Sequence, residues 1–337
     1  MKILIIGGTG KISSAVSKLV SEKKGVELYL VNRGHKQVDY VPNDHQLIMD
    51  INDEEKAATI LRGMKFDVVA DFIAYQKEDV MRDFRLFQGN TKQYIFISSA
   101  SVYKKPLADC RVTEGNTVAN HYWEYSRNKI ECEKYLLERY AEDNFPVTII
   151  RPSHTYNEES IPVCVHGEKG SWQVAKRMLE GKQVIIHGDG TSLWTLTHST
   201  DFAKGFAGLM GNLRAIGEIV QITSDESLTW NQIYEALAEA LGVELHAYHV
   251  ASDFLASCSN YDLTGTLLGD KAHSVMFDNT KLKRLVPEFV ATKRFDEGIR
   301  ETVEYILNHP EEQTEDPEFD KWCDMMIFTL EQSKKLI

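Results

Sequence analysis

The sequence predicts an α/β protein, a doubly wound parallel sheet with a smaller C-terminal lobe. Three observations carry that expectation. From Lys2 to Pro152 short apolar runs alternate with longer amphipathic stretches, a glycine turn follows directly on the first apolar run, and after Pro152 the rhythm changes to loop-like and helical sequence.

In order, "KILII", "VELYLV", "HQLIM", "FDVVADFIA", "QYIFIS" and "PVTIIRP" read as strands, separated by helices over 11–23, 53–62, 76–87 and 121–140. Nearly continuous apolar strands alternating with helices are what a parallel sheet buried on both faces requires, because each crossover lays a helix on one face. Beyond Pro152, "SHTYNEESIPVCVHGEKGS" reads as a loop, 171–180 as a helix, and "QVIIHG" and "EIVQITS" as strands; from Leu228 the chain reads as helices with irregular links. The expected division is a sheet domain over 1–155, with a strand near 218–223 returning to it, and a lobe with a helical tail over 156–337. The acidic tract "HPEEQTEDPEFD" reads as a solvated loop before a last helix.

The 337 residues, 43% hydrophobic and 26% charged, suit an ordinary globular protein. A net charge of -12 repels phosphate backbones and anionic lipid, so neither nucleic acid nor membrane is an expected partner. Five cysteines, odd in number and never in CxxC spacing, indicate neither a disulfide framework nor a zinc site. No metal is expected. The first apolar run stops at Ile6, too short for a signal-peptide core or a membrane span, and a reducing cytoplasm is the expected location.

The first strand ends in "GGTGKISS", which spaces small residues as Gly7-x-x-Gly10-x-x-Ser13 between strand and helix. A dinucleotide pyrophosphate needs such a tight, bare turn at a helix N-terminus. Thr9, Lys11 and Ile12 belong to the same turn. A glycine turn alone also serves purely backbone ends, so the pattern gains weight from standing at the first strand-to-helix junction. The second strand ends at Asn32-Arg33, where an acid that grips a ribose 2′-OH is missing and an arginine can take a 2′-phosphate; this leans the expected cofactor from NAD toward NADP. Asp50-Ile51 follow the third strand, at the adenine position, and Phe72-Ile73-Ala74 follow the fourth, along the nicotinamide half.

Tyr125 and Lys129, in "HYWEYSRNKIE", share a helix face if 121–140 is helical. A free phenol titrates near ~10, and lowering it by roughly three units takes about 4 kcal/mol. An ammonium at ~4 Å and an effective dielectric of ~20 supplies interaction of that order. The expectation is a phenol primed by its lysine to exchange a proton with a substrate hydroxyl while hydride moves at the same carbon. On its own YxxxK is commonplace helix surface. The strand "QYIFIS" adds Ser98, Ser99 and Ser101 at the same sheet edge, where a serine hydroxyl can hold the substrate oxygen.

Together "GGTGKIS", "FISSASVY", "YSRNK", "RPSHTYN" and "GDGTSLWTLTHSTDFA" resemble, in order, the extended short-chain dehydrogenase/reductase superfamily and its NAD-dependent epimerase/dehydratase family. The resemblance spans roughly residues 1 to 310. It implies a Rossmann-type fold with a substrate-binding lobe, Ser99 as active-site serine, Tyr125 as acid/base, and Lys129 as the tyrosine's partner and a ligand of the nicotinamide ribose. It places Ser153 beside the nicotinamide, and a homodimer paired through the YxxxK helix and its predecessor. Two departures narrow the chemistry. Ala100-Ser101 stand where dehydratases carry Asp-Glu, and Trp194 stands where sugar-nucleotide epimerases carry a diphosphate-clamping arginine; a second clamp arginine is not apparent in "LTGTLLGDKAHS".

An indole suits an uncharged sugar-like ring better than a phosphate, although a core role for Trp194 is equally open. Ser101, His154 and His198 complete the candidate substrate contacts. The expected activity is epimerisation or oxidoreduction of a sugar-like hydroxyl compound through a keto intermediate. Alternatives are an NADPH-dependent carbonyl reductase with exchanging cofactor and a non-catalytic RNA binder like the chloroplast stem-loop-binding proteins.

Overall fold

The structure, a computed structural model, describes residues 1–36 and 38–336, so the last residue of the expected tail lies outside the described residues. The sheet domain runs β1 (Lys2–Ile6), α1 (Ser13–Ser21), β2 (Glu27–Asn32), β3 (Gln46–Ile48), α2 (Glu54–Ile60), β4 (Val68–Asp71), α3 (Lys77–Phe87), β5 (Tyr94–Ile97), α4 (Glu124–Asp143), β6 (Val147–Pro152) and β7 (Ile219–Ile222). The seven strands are parallel in the order β7-β6-β5-β4-β1-β2-β3, a Rossmann-type sheet whose order reverses between β1 and β4.

Successive strand residues point to opposite faces, which explains the unbroken apolar runs. Ile3 and Ile5 enter one core with Ala70, Ile95 and Phe202; Leu4 and Ile6 enter the other with Phe96, Leu136 and Phe145. A third core lies in the lobe, around Trp172, Trp194, Trp230, Ile299 and Trp322.

Four differences from the sequence expectations have physical causes. Helix α4 starts at Glu124 rather than 121 because Asn120 Oδ1 accepts the N–H groups of Tyr122 and Trp123 and holds them outside the helix. The segment Ser199–Leu209, to which the sequence reading assigns no element, is a helix, in which Gly205 and Gly208 admit Phe289 and Val286 to close packing; those glycines weaken its periodic signal. Ala247–Val250 is a strand within a region read as helical, fixed by parallel pairing with Val184–His187. The acidic tract is anchored: Asp316 is buried and caps the helix Pro317–Lys334, whose Phe319, Trp322, Cys323 and Ile327 join the lobe core. Arg177 ties that helix down through Asp320 (2.6 Å) and Asp324 (2.7 Å). The tail is therefore part of the lobe. Among the described residues no helix is long and apolar enough to cross a membrane.

Candidate active site

The glycine turn is built around two requirements. Gly7 has φ +75°, and a Cβ there would lie 2.3 Å from Ile73 Cγ2 on the neighbouring loop, so only glycine meets both the backbone conformation and the contact. Ser13, the small residue in third position, is accommodated by using its hydroxyl: Oγ donates to Gly7 O (2.5 Å) and accepts from Gly10 N (2.9 Å). Its side chain closes the turn on itself.

A groove opens from this turn over the carboxyl ends of β1 to β3, lined by Thr9, Asn32, Arg33, Asp50 and Ile51 together with Gly7 and Gly10. Asn32 Oδ1 accepts from Gly34 N (2.8 Å), while its buried Nδ2 has no partner among the described residues. The groove shares Gly7, Gly10, Ile73 and Tyr75 with a larger cavity of about 530 Å³. Lys11, Ile12, Phe72, Ile73 and Ser153 line that cavity. Ala74 does not line it. It is buried behind the loop, where its carbonyl accepts from Lys129. Asp71 sets this loop by accepting from the N–H groups of Ile73 (2.6 Å) and Ala74 (2.9 Å), and is itself paired with buried Arg82 (3.3 Å).

Ser99, Tyr125 and Lys129 all face the cavity. Ser126 donates to Ser101 Oγ (2.7 Å), which is 2.9 Å from Ser99 Oγ, and Ser99 lies close enough to Tyr125 to lower its phenol slightly. Ser101 lines the cavity but is buried in this hydroxyl chain. Ser98 is diverted: it donates to Glu133 (2.5 Å), which is paired with Arg151 (2.6 and 2.9 Å).

The expected depression of the tyrosine by its lysine does not occur in this structure. Burial, with neighbouring Tyr75 second, pushes the Tyr125 phenol up to about 12, against a smaller lowering by Ser99. Trp123 and Tyr75 supply the cover, with ring centroids 5.1 and 6.1 Å from that of Tyr125. Lys129 is spent elsewhere. Its Nζ donates to Ile97 O (2.6 Å) and Ala74 O (2.7 Å) and lies 4.6 Å from the Tyr75 ring centre but 5.8 Å from that of Tyr125. Burial pulls its ammonium down to about 8. The pair thus presents a protonated phenol beside a cation that is easily discharged.

On the lobe side, Ser153 Oγ is 2.9 Å from Thr197 Oγ1, and His154 lines the cavity as a neutral imidazole, pulled down to about 3 by burial. Trp194 is both cavity wall and core, stacked on Trp230 at 5.9 Å. His198 is not at the site: it caps the helix Ser199–Leu209 through Thr200 and packs edge-on against Tyr156. Among the side chains that line the cavity without having been singled out from the sequence are Tyr75, Trp123, Asp270 and Lys271. The last two lie in "LTGTLLGDKAHS", where only an arginine was sought.

Comparison with known proteins agrees with this architecture. The model of the NAD dependent epimerase/dehydratase family matches residues 79–223, the stretch containing Ser99, Tyr125 and Lys129. The chain is 22% identical over 299 residues to a 2'-dehydrokanamycin reductase of Streptomyces kanamyceticus, covering 86% of this chain and 80% of that protein. It is 26% identical over 256 residues to the chloroplast stem-loop binding protein of 41 kDa b of Arabidopsis thaliana, covering 72% of this chain and 63% of that one. Among solved structures, an epimerase of Methanothermobacter thermautotrophicus superposes with a TM-score of 0.73 at 15% identity, over 92% of this chain and 93% of that one. The dTDP-glucose 4,6-dehydratase of Bacillus anthracis, solved with NAD, superposes with a TM-score of 0.70 at 19% identity, over 92% and 98%. The fold is thus shared over nearly the whole chain, and the stretch that carries the serine, tyrosine and lysine is the one similar to the NAD dependent epimerase/dehydratase family of enzymes.

Proposed function

We propose that the chain is an NAD(P)-dependent epimerase or oxidoreductase acting on a hydroxyl-bearing carbon of a sugar or sugar-like compound through a keto intermediate. The observation that carries this reading is the convergence of Ser99, Tyr125 and Lys129 on one cavity that is continuous with the groove at the glycine turn. The residues suit a dinucleotide, since the turn at Gly7 leaves no space for a side chain and the buried Asn32 Nδ2 has no partner among the described residues. Thr9, Gly10, Lys11 and Ile12 would meet the pyrophosphate, Asn32, Arg33, Asp50 and Ile51 the adenosine half, and Phe72, Ile73, Lys129 and Ser153 the nicotinamide half. When bound, the cofactor supplies the hydride acceptor and donor.

In this mechanism Tyr125 exchanges the hydroxyl proton, Ser99 holds the same oxygen, and Lys129 supplies positive charge beside the phenol. With the phenol raised, the resting site is set to give a proton to a carbonyl. Ala100 and Ser101 offer no acid/base pair for eliminating water, which favours oxidoreduction over dehydration. Arg33, exposed beside His35 and Lys36 in the groove, supports the lean toward NADP. The reductase reading, with cofactor exchanged each turn, is favoured by the reductase relative that aligns over most of the chain. Net charge of -12 and the complete Ser/Tyr/Lys set favour either enzyme over an RNA binder. A cytoplasmic homodimer, paired through α3 and α4, completes the reading; sedimentation at micromolar concentration tests the dimer.

The deciding experiment is to purify the protein without added nucleotide, denature it, and identify released cofactor by chromatography and mass spectrometry. Stoichiometric NAD or NADP supports the closed cycle of an epimerase. An empty protein that binds NADPH reversibly and consumes it with carbonyl compounds supports the reductase.

A further inference from the structure

We propose that the lobe wall of the cavity seats one anionic group, a carboxylate or a phosphate ester, on a monosaccharide-sized substrate, with Lys271 as its ligand and Lys105 as the charge that frees Lys271 for that task. The proposal rests on the oxidoreductase reading above and adds the substrate's charge class.

Three charged groups make the wall. Asp270 and Lys271 line the cavity; Lys105, buried, stands 3.9 Å from Asp270 on its other side. Lys271 Nζ is 3.5 Å from Asp270 Oδ2, and among the described residues that long contact is its one hydrogen bond. Two ammonium groups therefore share one carboxylate, and neither sits at the short distance of a strong charge-assisted bond. The wall carries a surplus positive charge, with donors of Lys271 unspent, beside a cavity.

The placement of Lys271 suits ligand recognition. Its Nζ stands 5.5 Å from the Trp123 ring centre and 5.7 Å from that of Trp194, between two indole faces that can pack against a sugar ring. Asp270 and Lys271 close the π-helical turn Leu267–Lys271, a rare geometry that inserts an extra residue and concentrates at functional sites. The imidazoles beside the wall add no charge: His154 and His187 are held neutral by burial, at about 3 and about 4, and His187 Nε2 is engaged with the Lys271 carbonyl, while Lys11 and Lys129 line the cavity as well. Size agrees. A cavity of about 530 Å³ that must also take the reactive end of a dinucleotide leaves room for a compact substrate.

The test is equilibrium binding to the cofactor-loaded protein, by calorimetry and tryptophan fluorescence, with D-glucuronate, D-glucose 6-phosphate, D-glucose and D-glucosamine as probes. At least one acid is expected to bind about tenfold or more tightly than glucose, with glucosamine weakest. Which acid binds tighter distinguishes carboxylate from phosphate. Lys271→Gln should erase the preference for the acid, Lys271→Arg should keep it, and Lys105→Gln should weaken acid binding by leaving Asp270 to neutralise Lys271. Equal binding of acid and glucose, tightest binding of glucosamine, no binding of either acid, or an acid preference that survives Lys271→Gln overturns the proposal. Binding requires no turnover, so failure of the redox reading would appear separately, as no hydride transfer from any probe with the binding order intact.

Discussion

Beneath the sheet edge, Arg151 and Glu133 form a closed ion pair; in the lobe wall, Lys105, Asp270 and Lys271 form an open one. Arg151 meets both carboxylate oxygens of Glu133 (2.6 and 2.9 Å), Ser98 takes a further bond to that carboxylate (2.5 Å), and the guanidinium stacks at 4.9 Å over Tyr103. Its charge is fully used in tying β6 and the end of β5 to α4. The wall cluster has the opposite character, with two cations on one carboxylate at 3.9 and 3.5 Å and a cavity beside them. Burying charge serves two ends here. A saturated pair fixes the frame on which the serine and tyrosine are mounted, whereas an unsaturated cluster keeps attraction in reserve for a ligand.

Four measurements break or sharpen that comparison. The largest expected effect tests what the frame exists to hold: Tyr125→Phe should lower turnover by about a hundredfold to ten-thousandfold while cofactor retention is unchanged. Residual activity above a few per cent would remove Tyr125 from the proton path. Next, Glu133→Gln leaves a buried guanidinium without its counter-charge, and urea unfolding should show a loss of about 3–5 kcal/mol. A loss below about 1 kcal/mol would mean that the closed pair does not stabilise the frame.

Third comes the pH dependence of carbonyl reduction. In the proposed mechanism Lys129 holds the positive charge on the cofactor side of the cavity, and burial pulls it down to about 8, so the rate should hold below that value and decline as pH rises through it. Lys129→Met should be slow throughout and lack this limb; an unchanged profile in that variant assigns the limb to another group. The smallest expected effect is on the open cluster. Lys271→Gln should change stability by no more than about 1 kcal/mol, because the pair it breaks is long and Asp270 keeps Lys105 as a counter-charge. A loss as large as that of Glu133→Gln would make the wall a structural feature after all.

The sheet and the residues at its edge were legible because each sits within a short span that carries its own periodicity. "KILII" followed by "GGTGK" announces a strand and a tight turn, and the four-residue interval from Tyr125 to Lys129 needs only one helix to become a contact. The wall was not legible in that way. Lys271 reaches Trp123 and Trp194 only after three distant segments fold together, and nothing in "LLGDKAHS" marks a π-helical turn. Strand Ala247–Val250 likewise owes its form to its partner Val184–His187 rather than to its own four residues. The state of the phenol was not legible because it depends on the aromatic cover from Tyr75 and Trp123 and on the two carbonyls that claim the Lys129 ammonium, all of them contacts made only in the fold. His198 was misplaced because motif order fixes a residue's neighbourhood, while the direction of its ring is decided by the helix it caps.

Asn120 joins the two halves of the site. Its amide nitrogen donates to Ser101 O and to Gly269 O, both at 2.7 Å, while its oxygen shapes the entry to α4. Nearby, a Cβ on Gly265 would lie 2.4 Å from Trp123 Cδ1. The substrate wall is thus not a cassette that can be exchanged on its own. Anyone grafting a new specificity onto this scaffold would have to transplant residues 120–123 and 263–271 as a single part, because a foreign wall set against the native loop would shift the tyrosine along with the pocket.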